Sequence, residues 1–403
     1  MTEASAKHRL RRSLDETLGD ELVALQAMGL RRTLRSVQQR RAGTVQLHGE
    51  RVADFASNDY LGLASDPRVA RAASAVLQAE GTGAGAARLI SGHHPVHEAL
   101  ERALASFKGV ERALLFPSGY MANVGAIPAL VGREDVIYSD TLNHASLIDG
   151  CRLSRATVRV FPHCDLGALR ELLRQDQHSF RRALIVVEGM FSMDGDLFPL
   201  DGLVELAKEY EAWTYVDDAH ATGILGATGA GTVEQFGVAE RVDVVVGTLG
   251  KAMGTMGAYV AGSLELVEYL TSRARSFIFT TATPPAMAAA ALEALRIAEV
   301  EPWRRQHVKD RARQLRGRLR AAGRTTTGAD DAHIVPIVVG DALRTMALVA
   351  DLRRRGFLIG GVRPPTVPEG TARLRVSVSA VHAPELVDML AANLIDAMRG
   401  VVP

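Results

Sequence analysis

The sequence predicts an α/β protein in which a large domain with a mainly parallel sheet is followed by a smaller α+β domain. Through the middle of the chain, apolar β-branched runs alternate with amphipathic stretches. Strands that alternate with helices imply parallel pairing and right-handed crossovers. Runs such as LIVV at 184–187 and VVV at 244–246 are uninterrupted by polar residues, which is typical of strands buried on both faces.

The N-terminal part of the chain is predicted to be a helical arm. Leucines and arginines recur at near-helical spacing over the first 45 residues, including Arg9, Arg11 and Arg12, and this pattern favours a solvated basic helix. A short strand and turn, VADFASNDYLGL, follow at 52–63.

Seven strands are then expected, each an apolar run before a polar or glycine-containing turn. They are ALLFP at 113–117, DVIYSD at 135–140, TVRVF at 157–161, ALIVVE at 183–188, WTYVDD at 213–218, VDVVVGT at 242–248 and GAYVAG at 257–262.

The C-terminal part begins with a predicted long helix. The pair Pro284–Pro285 precedes an alanine-rich run at 286–300, and proline is favoured at a helix start. The later strands HIVPIVVG and ARLRVSVSA belong to the smaller domain. The predicted divisions are a helical arm at 1–50, a large cofactor-binding domain at 51–290 and a small domain at 291–403.

The amino-acid composition excludes several classes of function. Lys plus Arg number 47 and Asp plus Glu 46, so the net charge is +1, which argues against a nucleic-acid binder. No apolar run is long enough for a membrane-spanning helix. Two cysteines, Cys151 and Cys164, exclude a disulfide scaffold and favour a reducing compartment. The N-terminus lacks an apolar signal core, so we expect a cytoplasmic enzyme without membrane or nucleic-acid partners.

Common phosphate and metal motifs are incomplete. The sequence around Gly250 and Lys251 is not a P-loop, because Ala252 follows the lysine. His93 and His97 have i, i+4 spacing but lack the glutamate of a zinc protease. We therefore predict no metal site.

Polar residues at the ends of several predicted strands are the stronger signal, because ligands bind at this edge of an open α/β sheet. FPSGY at 116–120 leads from a strand into a helix, whose first N–H groups suit a phosphate. Asp217 and His220 follow a second strand, and Thr248 and Lys251 a third. Pyridoxal phosphate (PLP) requires this set: a lysine for the Schiff base, a carboxylate for the pyridinium nitrogen and a phosphate site. A generic nucleotide site remains the alternative at this point.

The chain resembles the α-oxoamine synthases, a PLP-dependent family with the aspartate-aminotransferase fold (fold type I). The resemblance extends from about Leu30 to His382. Eight motifs carry it, in order SNDYLGL, ISGHHPVHEALE, LLFPSGYMAN, LNHASLIDGCRLS, FSMDGDLFPL, VDDAHATGILG, GTLGKAMG and RPPTVPEGTARLR.

Within the family, RPPTVPEGTARLR at 363–375 and TTATPPA at 280–286 are most similar to the branch of the biotin pathway that condenses L-alanine with a pimeloyl thioester. The branch that joins glycine to an acetyl group is the nearest alternative, and an aminotransferase is a more distant one. Four residues near the expected substrate channel differ from those usual in the family: Ala86, Ala87, Met190 and Ala221.

The resemblance assigns roles residue by residue. Lys251 would form the Schiff base and move the substrate proton, Asp217 would pair with the pyridinium nitrogen, and His144 would stack on the ring and contact substrate. The full set of expected cofactor contacts is Ser118, Gly119, Tyr120, His144, Glu188, Ser192, Asp217, His220, Thr248, Lys251, Thr280 and Thr281. Thr280 and Thr281 would act across a homodimer interface, because sites of this family lie between two chains.

The expected substrate contacts are Arg31, Asn58, His144, Thr366 and Arg375. Arg375 would clamp the amino-acid carboxylate, since its planar fork suits bidentate pairing. Arg373 is two residues away on the same strand face, so spacing alone leaves the choice between them open. Arg31 precedes Asn58 by 27 positions, which resembles enzymes whose arginine meets the acyl thioester, on either coenzyme A or a carrier protein.

Overall fold

The computed structural model describes residues 13–399; the predicted helical positions Arg9, Arg11 and Arg12 lie outside this range. Its strands are β1 (Val37–Arg41), β2 (Thr44–Leu47), β3 (Glu50–Asp54), β4 (Arg112–Phe116), β5 (Val136–Asp140), β6 (Thr157–Phe161), β7 (Ala183–Glu188), β8 (Trp213–Asp217), β9 (Val244–Thr248), β10 (Ala258–Gly262), β11 (Ile334–Gly340), β12 (Phe357–Leu358), β13 (Gly360–Val362) and β14 (Ala372–Ser377).

Its helices are α1 (Leu14–Ala27), α2 (Pro67–Glu80), α3 (Pro95–Lys108), α4 (Gly119–Leu130), α5 (Ala145–Ser154), α6 (Leu166–Gln175), α7 (Leu200–Glu209), α8 (Thr232–Gln235), α9 (Leu264–Arg273), α10 (Arg275–Ile278), α11 (Pro285–Val300), α12 (Trp303–Ala321), α13 (Ala342–Arg354) and α14 (Pro384–Ala397). A 3₁₀ turn covers Ala239–Arg241.

All seven strands predicted for the large domain lie in one sheet, in the order β4-β10-β9-β8-β7-β5-β6. The neighbours from β9 to β6 pair in parallel, and β10 is antiparallel to both β4 and β9. The predicted α/β class with a mainly parallel sheet is confirmed. Six strands therefore end at the same edge, where polar side chains from distant parts of the chain meet.

The uninterrupted apolar runs are explained by helices on both faces of this sheet. In β9, Val244 and Val246 belong to the same apolar cluster as Ile127 of α4, whereas Val245 belongs to the cluster of Leu203 of α7 on the opposite face. Alternate side chains of a strand point to opposite faces, so a strand covered on both faces is apolar at every position.

Within the described part of the N-terminal arm, the helical prediction is correct only for α1, because residues 37–47 form β1 and β2 of a small sheet in the order β1-β2-β3-β12. The strands turn at Ala42 and Gly43, both with positive φ. Val45 and Leu47 are buried while their neighbours are partly exposed, which is the period of a half-buried strand. Because arginines occur throughout this segment, the alternation of buried and exposed residues is not evident from the sequence.

A third sheet, in the order β11-β14-β13, belongs to the C-terminal part of the chain. Its strands are antiparallel, and the register places Gly360 opposite Arg375 and Val362 opposite Arg373. The predicted long helix is α11, which is continuous across residue 290. The domain boundaries at residues 50 and 290 stay predictions. Within residues 13–399, no helix is long and apolar enough to cross a membrane.

Candidate active site

A lysine, a histidine and a tyrosine form a chain of hydrogen bonds at the shared edge of the large sheet. Lys251 Nζ lies 2.7 Å from His220 Nε2, and His220 Nδ1 lies 2.7 Å from the hydroxyl of Tyr60. Burial lowers the pKa of Lys251 to about 8, against the opposing effect of the Asp217 and Glu188 carboxylates. Burial and the charge of Lys251 also lower the pKa of His220 well below its usual value. The site therefore holds an amine of reduced basicity beside a neutral imidazole.

Asp217, at the end of β8, is held from two sides. The backbone N–H of Ala219 donates to its Oδ1 at 2.9 Å, and the side-chain amide of Asn123 donates to its Oδ2 at 2.7 Å. The carboxylate is 6% exposed. Asn123 is a residue that sequence reasoning missed.

Asn123 also connects Asp217 to His144. The same amide nitrogen donates to Ser146 Oγ at 2.9 Å, and Ser146 Oγ lies 2.8 Å from His144 Nδ1. The backbone N–H of Ser146 donates to the same Nδ1 at 3.2 Å, where His144 caps α5. Burial lowers the pKa of His144. A neutral His144 whose Nδ1 accepts these bonds carries its proton on Nε2.

Asp218, the next residue, points away from the site, as expected from strand alternation. Lys108 Nζ donates to Asp218 Oδ2 at 3.2 Å and to Thr222 Oγ1 at 3.1 Å, and it also bonds the carbonyl of Ala230. The side chains of Lys108 and Asp218 are 0% exposed. This internal ion pair ties the segment after β8 to the end of α3, and so supports the residues that face the site.

Glu188, at the end of β7, has an unsatisfied polar atom. It is 3% exposed, and its Oε1 makes no hydrogen bond. Burial and the neighbouring Asp217 raise its pKa, against the effect of Lys251. A buried carboxyl oxygen without a partner is costly unless a ligand supplies one, so it supports a ligand site here.

The start of α4 offers a site for a phosphate. Ser118 caps the helix by accepting from the N–H of Met121 at 3.2 Å, and a Cβ on Gly119 would meet nothing within 4 Å. The space beside the first residue of the helix is therefore open, as in anion sites at helix starts. Tyr120 is 46% exposed and donates its hydroxyl hydrogen to Asp149.

The remaining predicted cofactor residues differ in how close they are to this centre. Thr248 Oγ1 donates to the carbonyl of Gly257 at 3.1 Å and accepts from Gly250 N–H at 3.2 Å, and so shapes the turn before Lys251. Thr280 is partly exposed and Thr281 is exposed beyond α10. Within residues 13–399, neither Thr280 nor Thr281 forms a hydrogen bond with another predicted site residue.

The geometry favours Arg375 over Arg373 as a free carboxylate clamp. Arg373 is paired with the carboxylate of Asp194. Arg375, 7% exposed, donates to the carbonyl of Ser192 at 2.7 Å and to Asn58 Oδ1 at 3.1 Å, and forms no salt bridge within residues 13–399. Its charge is therefore available to a ligand, while Asn58, expected at the substrate, holds the arginine in place.

The other expected substrate residues, Arg31 and Thr366, each accept a hydrogen bond from a neighbouring arginine. The side chain of Arg31 is exposed, and its backbone carbonyl accepts from Arg363 at 3.0 Å. Thr366 accepts from Arg32 at 3.4 Å. The structure thus brings Arg363 and Arg32, which were not singled out, into contact with the two residues that were.

A second polar cluster, at Asp140 and His163, has a different character. Asp140, His163 and Cys164 lie close enough together to hold a metal ion. However, His163 Nδ1 lies 3.0 Å from Asp140 Oδ1 and its Nε2 lies 2.6 Å from Asp196 Oδ2. Burial lowers the pKa of His163, but the two carboxylates outweigh it and raise the pKa to about 12. A bridging imidazolium explains this cluster.

The residues at the sheet edge fit PLP. A buried amine, a held carboxylate, a neutral histidine and an open helix start lie together, and Glu188 supplies an unsatisfied oxygen. These are the groups that bind the aldehyde, the ring and the phosphate of this cofactor.

Comparison with known proteins agrees with this geometry. The family model described as aminotransferase class I and II matches residues 50–394. The chain is 49% identical over 381 residues to an 8-amino-7-oxononanoate synthase from Anaeromyxobacter sp. (strain K), covering 94% of each chain. It is 49% identical over 390 residues to the enzyme of the same name from Alkalilimnicola ehrlichii, covering 95% of this chain and 97% of the relative.

Solved structures lead to the same family. A serine palmitoyltransferase from S. paucimobilis, with PLP and myriocin bound, superposes with a TM-score of 0.91 at 30% identity, over 97% of this chain and 99% of that one. An 8-amino-7-oxononanoate synthase from Francisella tularensis gives a TM-score of 0.75 at 28% identity, over 87% of this chain and 98% of that one. The resemblance found in the sequence motifs is confirmed, and the chain belongs to the class I and II aminotransferase family, among the α-oxoamine synthases.

Proposed function

We propose that this chain is a PLP-dependent acyltransferase that condenses L-alanine with a pimeloyl thioester, with loss of carbon dioxide, to form 8-amino-7-oxononanoate for biotin synthesis. The observation that carries the proposal is the 49% identity to enzymes of that name over 94% of the chain. The expected location is the cytoplasm.

When bound, PLP supplies an electron sink that stabilises negative charge at the amino-acid Cα. Lys251 is the residue to which it would attach. Asp217, held by Asn123 and Ala219, would keep a proton on the ring nitrogen. The start of α4 would bind the phosphate through Gly119 and its neighbours.

The side chains of this site would then bind the substrate carboxylate, transfer the proton and stabilise the developing negative charge. Arg375 would hold the amino-acid carboxylate by a bidentate ion pair. Lys251, with its pKa lowered to about 8, would be partly a free amine near neutral pH and suited to take the Cα proton. His144, with a proton on Nε2, would donate to the thioester carbonyl oxygen as negative charge develops there.

The test is to follow thiol release and product mass with holoenzyme. L-Alanine, glycine and L-serine should each be combined with pimeloyl, acetyl and palmitoyl thioesters, and the pimeloyl group should be offered on both coenzyme A and a carrier protein. We expect L-alanine with a pimeloyl thioester to give the highest kcat/KM and a decarboxylated product. One methyl group contributes only about 1–3 kcal/mol to discrimination, so glycine should remain a weak substrate.

Other outcomes assign other functions. Preference for glycine and acetyl-coenzyme A, with a product that keeps its carboxylate, would identify the glycine C-acetyltransferase reaction. Conversion of the cofactor to its amine form without thiol release would identify an aminotransferase.

The proposed assembly is a homodimer whose two sites are each built from both chains. Among residues 13–399, Thr280 and Thr281 form no hydrogen bond with the other site residues, and the neighbouring Phe279 is 71% exposed, which supports a covering partner.

Complementation tests the shared site. Subunits with Lys251→Ala are mixed with subunits carrying Thr280→Ala and Thr281→Ala, so that a heterodimer contains one intact site if the threonines act across the interface. Partial recovery of activity is expected. No recovery in verified heterodimers would contradict shared sites.

A further inference from the structure

Two buried carboxyl groups lie side by side at the edge of the large sheet that carries the site. Glu188 ends β7 and Asp217 ends β8, and the two residues are direct partners in the parallel pairing of these strands, which lie ~4.8 Å apart. Val186 and Tyr215, two positions earlier on each strand, belong to one apolar cluster, so Glu188 and Asp217 face the same side of the sheet. Within residues 13–399, neither carboxyl group forms a salt bridge. Two negative charges this close repel each other, so one of the two groups is expected to hold a proton.

The hydrogen-bond donors around this pair decide which group carries the proton. Asp217 accepts at both of its oxygens, from the backbone N–H of Ala219 and from the side-chain amide of Asn123. Such bonds stabilise the charged form of a carboxylate. Glu188 Oε1, in contrast, is buried and has no hydrogen-bond partner, and burying an unpartnered charged oxygen is far more costly than burying a neutral hydroxyl group. The pair therefore ionises at Asp217 and keeps a proton on Glu188.

The charged and polar groups that face Glu188 from neighbouring elements agree with this distribution. Burial raises the pKa of Glu188 most, and the negative charge of Asp217 raises it further. The positive charge of Lys251 and the backbone N–H groups of His144 and Ser192 act in the opposite direction, and the balance is a pKa raised to about 8. Burial also lowers the pKa of His144, so a neutral imidazole on that side adds no charge.

A protonated Glu188 can do what a second carboxylate cannot. An ionised carboxylate only accepts hydrogen bonds, whereas a neutral carboxylic acid also donates one through its O–H group. No group of the described chain accepts a bond from Glu188 Oε1, so the acceptor would come with a ligand. The acceptors available there are oxygens, either the ring oxygen of PLP or the carbonyl oxygen of a thioester, and a second negative charge would repel both of them.

We propose that Glu188 is the protonated member of the Glu188–Asp217 pair and donates its O–H group to an acceptor oxygen of the bound cofactor or substrate. Asp217 is then the only full negative charge of the pair, and it stays available to the ring nitrogen of PLP. The protonation of Glu188 holds for any amino acid and acyl group that the enzyme uses. Donation to a thioester oxygen rests on the proposed function.

Infrared difference spectroscopy of the protein without PLP tests the protonation directly. A protonated carboxyl group has a C=O stretching band that is separate from the bands of carboxylates and that shifts in D₂O. The difference between the unaltered protein and Glu188→Gln should contain this band below about pH 7 and should lose it as the pH rises through about 8, where Glu188 ionises. Glu205→Gln, which alters an exposed glutamate paired with Arg241, is the matched control and should leave the band unchanged.

The Asp217→Asn variant gives a second readout that does not require Glu188→Gln to fold. Removing the negative neighbour lowers the pKa of Glu188, so the band should disappear about one pH unit or more below its position in the unaltered protein. An unchanged midpoint would contradict the coupling of the two groups. Absence of the band from the unaltered protein at about pH 6, or a band that persists in Glu188→Gln, would overturn the inference.

Binding and turnover then identify the acceptor oxygen. Glu188→Leu, which removes the O–H group, should weaken PLP binding or lower kcat/KM for the thioester by about 10-fold or more, and Glu188→Gln, which keeps a neutral donor, should lose less. A weaker Kd for PLP assigns the acceptor to the cofactor, whereas a loss confined to kcat/KM assigns it to the thioester.

Two outcomes would refute the donor role of Glu188. Losses below about 3-fold in both measurements for Glu188→Leu would show that no bond is donated. Equal losses in Glu188→Gln and Glu188→Leu would show that the site needs a negative charge at this position. Absence of turnover in an unaltered protein that shows the infrared band would contradict only the proposed function.

Discussion

Asn123→Ala is the sharpest test of how the candidate site is organised. The amide of Asn123 is 1% exposed and bonds three groups at once. It donates to Asp217 and to Ser146, and it accepts from the hydroxyl of Tyr215 at 2.8 Å. Removing it frees the carboxylate expected at the cofactor ring and loosens the serine that holds His144.

The size of the effect follows from the bond that is lost. A hydrogen bond to a charged group contributes ~1.5–3 kcal/mol. At about 1.36 kcal/mol per factor of ten, Asn123→Ala should lower kcat/KM roughly 10- to 150-fold. The buried Tyr215 hydroxyl also loses its partner, which costs about 1–3 kcal/mol in the free energy of unfolding.

The assay is kcat/KM for L-alanine with saturating thioester, together with the Kd of PLP and urea unfolding. Tyr215→Phe is the matched control, because it removes only the hydroxyl and leaves both donor bonds of Asn123 intact. We expect a change in kcat/KM below about 3-fold in the control. If Asn123→Ala also changed kcat/KM by less than about 3-fold while losing stability, the residue would be structural and the positioning argument would be refuted.

Four further predictions follow from the same contacts. Lys251→Ala should abolish turnover while PLP still binds, and the visible absorbance should disappear on dialysis; wild-type turnover would exclude the lysine assignment. Asp217→Asn should keep the fold by circular dichroism and lower the rate more than tenfold, which corresponds to at least about 1.4 kcal/mol of barrier; a smaller loss would exclude the ring-nitrogen role. The pKa of His163 is raised in the folded protein, so the stabilisation it provides is complete below about pH 6.5 and is lost as pH rises, with a slope of up to ~1.4 kcal/mol per pH unit. Urea unfolding of His163→Asn between pH 7 and 9 should lack that slope. An unchanged slope would contradict the proposed bridge between the two carboxylates. Lys108→Met should lower the free energy of unfolding by about 3–5 kcal/mol, because it leaves the buried Asp218 carboxylate without a counter-ion. Adding Asp218→Asn should restore part of the lost stability. No restoration would show that the loss does not come from the Lys108–Asp218 ion pair.

The large sheet could be predicted from sequence because its signal is local. Strands β4 to β10 are short apolar runs that end in turn residues, and helices on both faces remove the need for alternation. Strands β1 and β2 were missed because their exposed positions carry glutamine and arginine, as in VQQRR at 37–41, and only two buried apolar residues mark β2.

Residues whose role depends on distant packing could not be predicted. Lys108 ends α3, where a basic residue suits the helix dipole, yet its partner Asp218 is 110 positions away. The backbone carbonyl that contacts Arg363 is 332 positions away, at Arg31. Only the folded chain brings these groups together, so the sequence could indicate an arginine in the RPPTVP motif without indicating that it is buried and unpaired.

The pairing of β13 with β14 has a mechanical consequence. Because Arg363 directly follows one strand and Arg375 lies on the other, both guanidinium groups belong to a single hydrogen-bonded unit. A rigid displacement of this sheet towards or away from Lys251 would move both arginines by the same amount. Because Arg363 contacts Met346 on one face of the strand pair and Arg375 contacts Ser192 on the other, such a displacement would change the contacts on both faces at the same time.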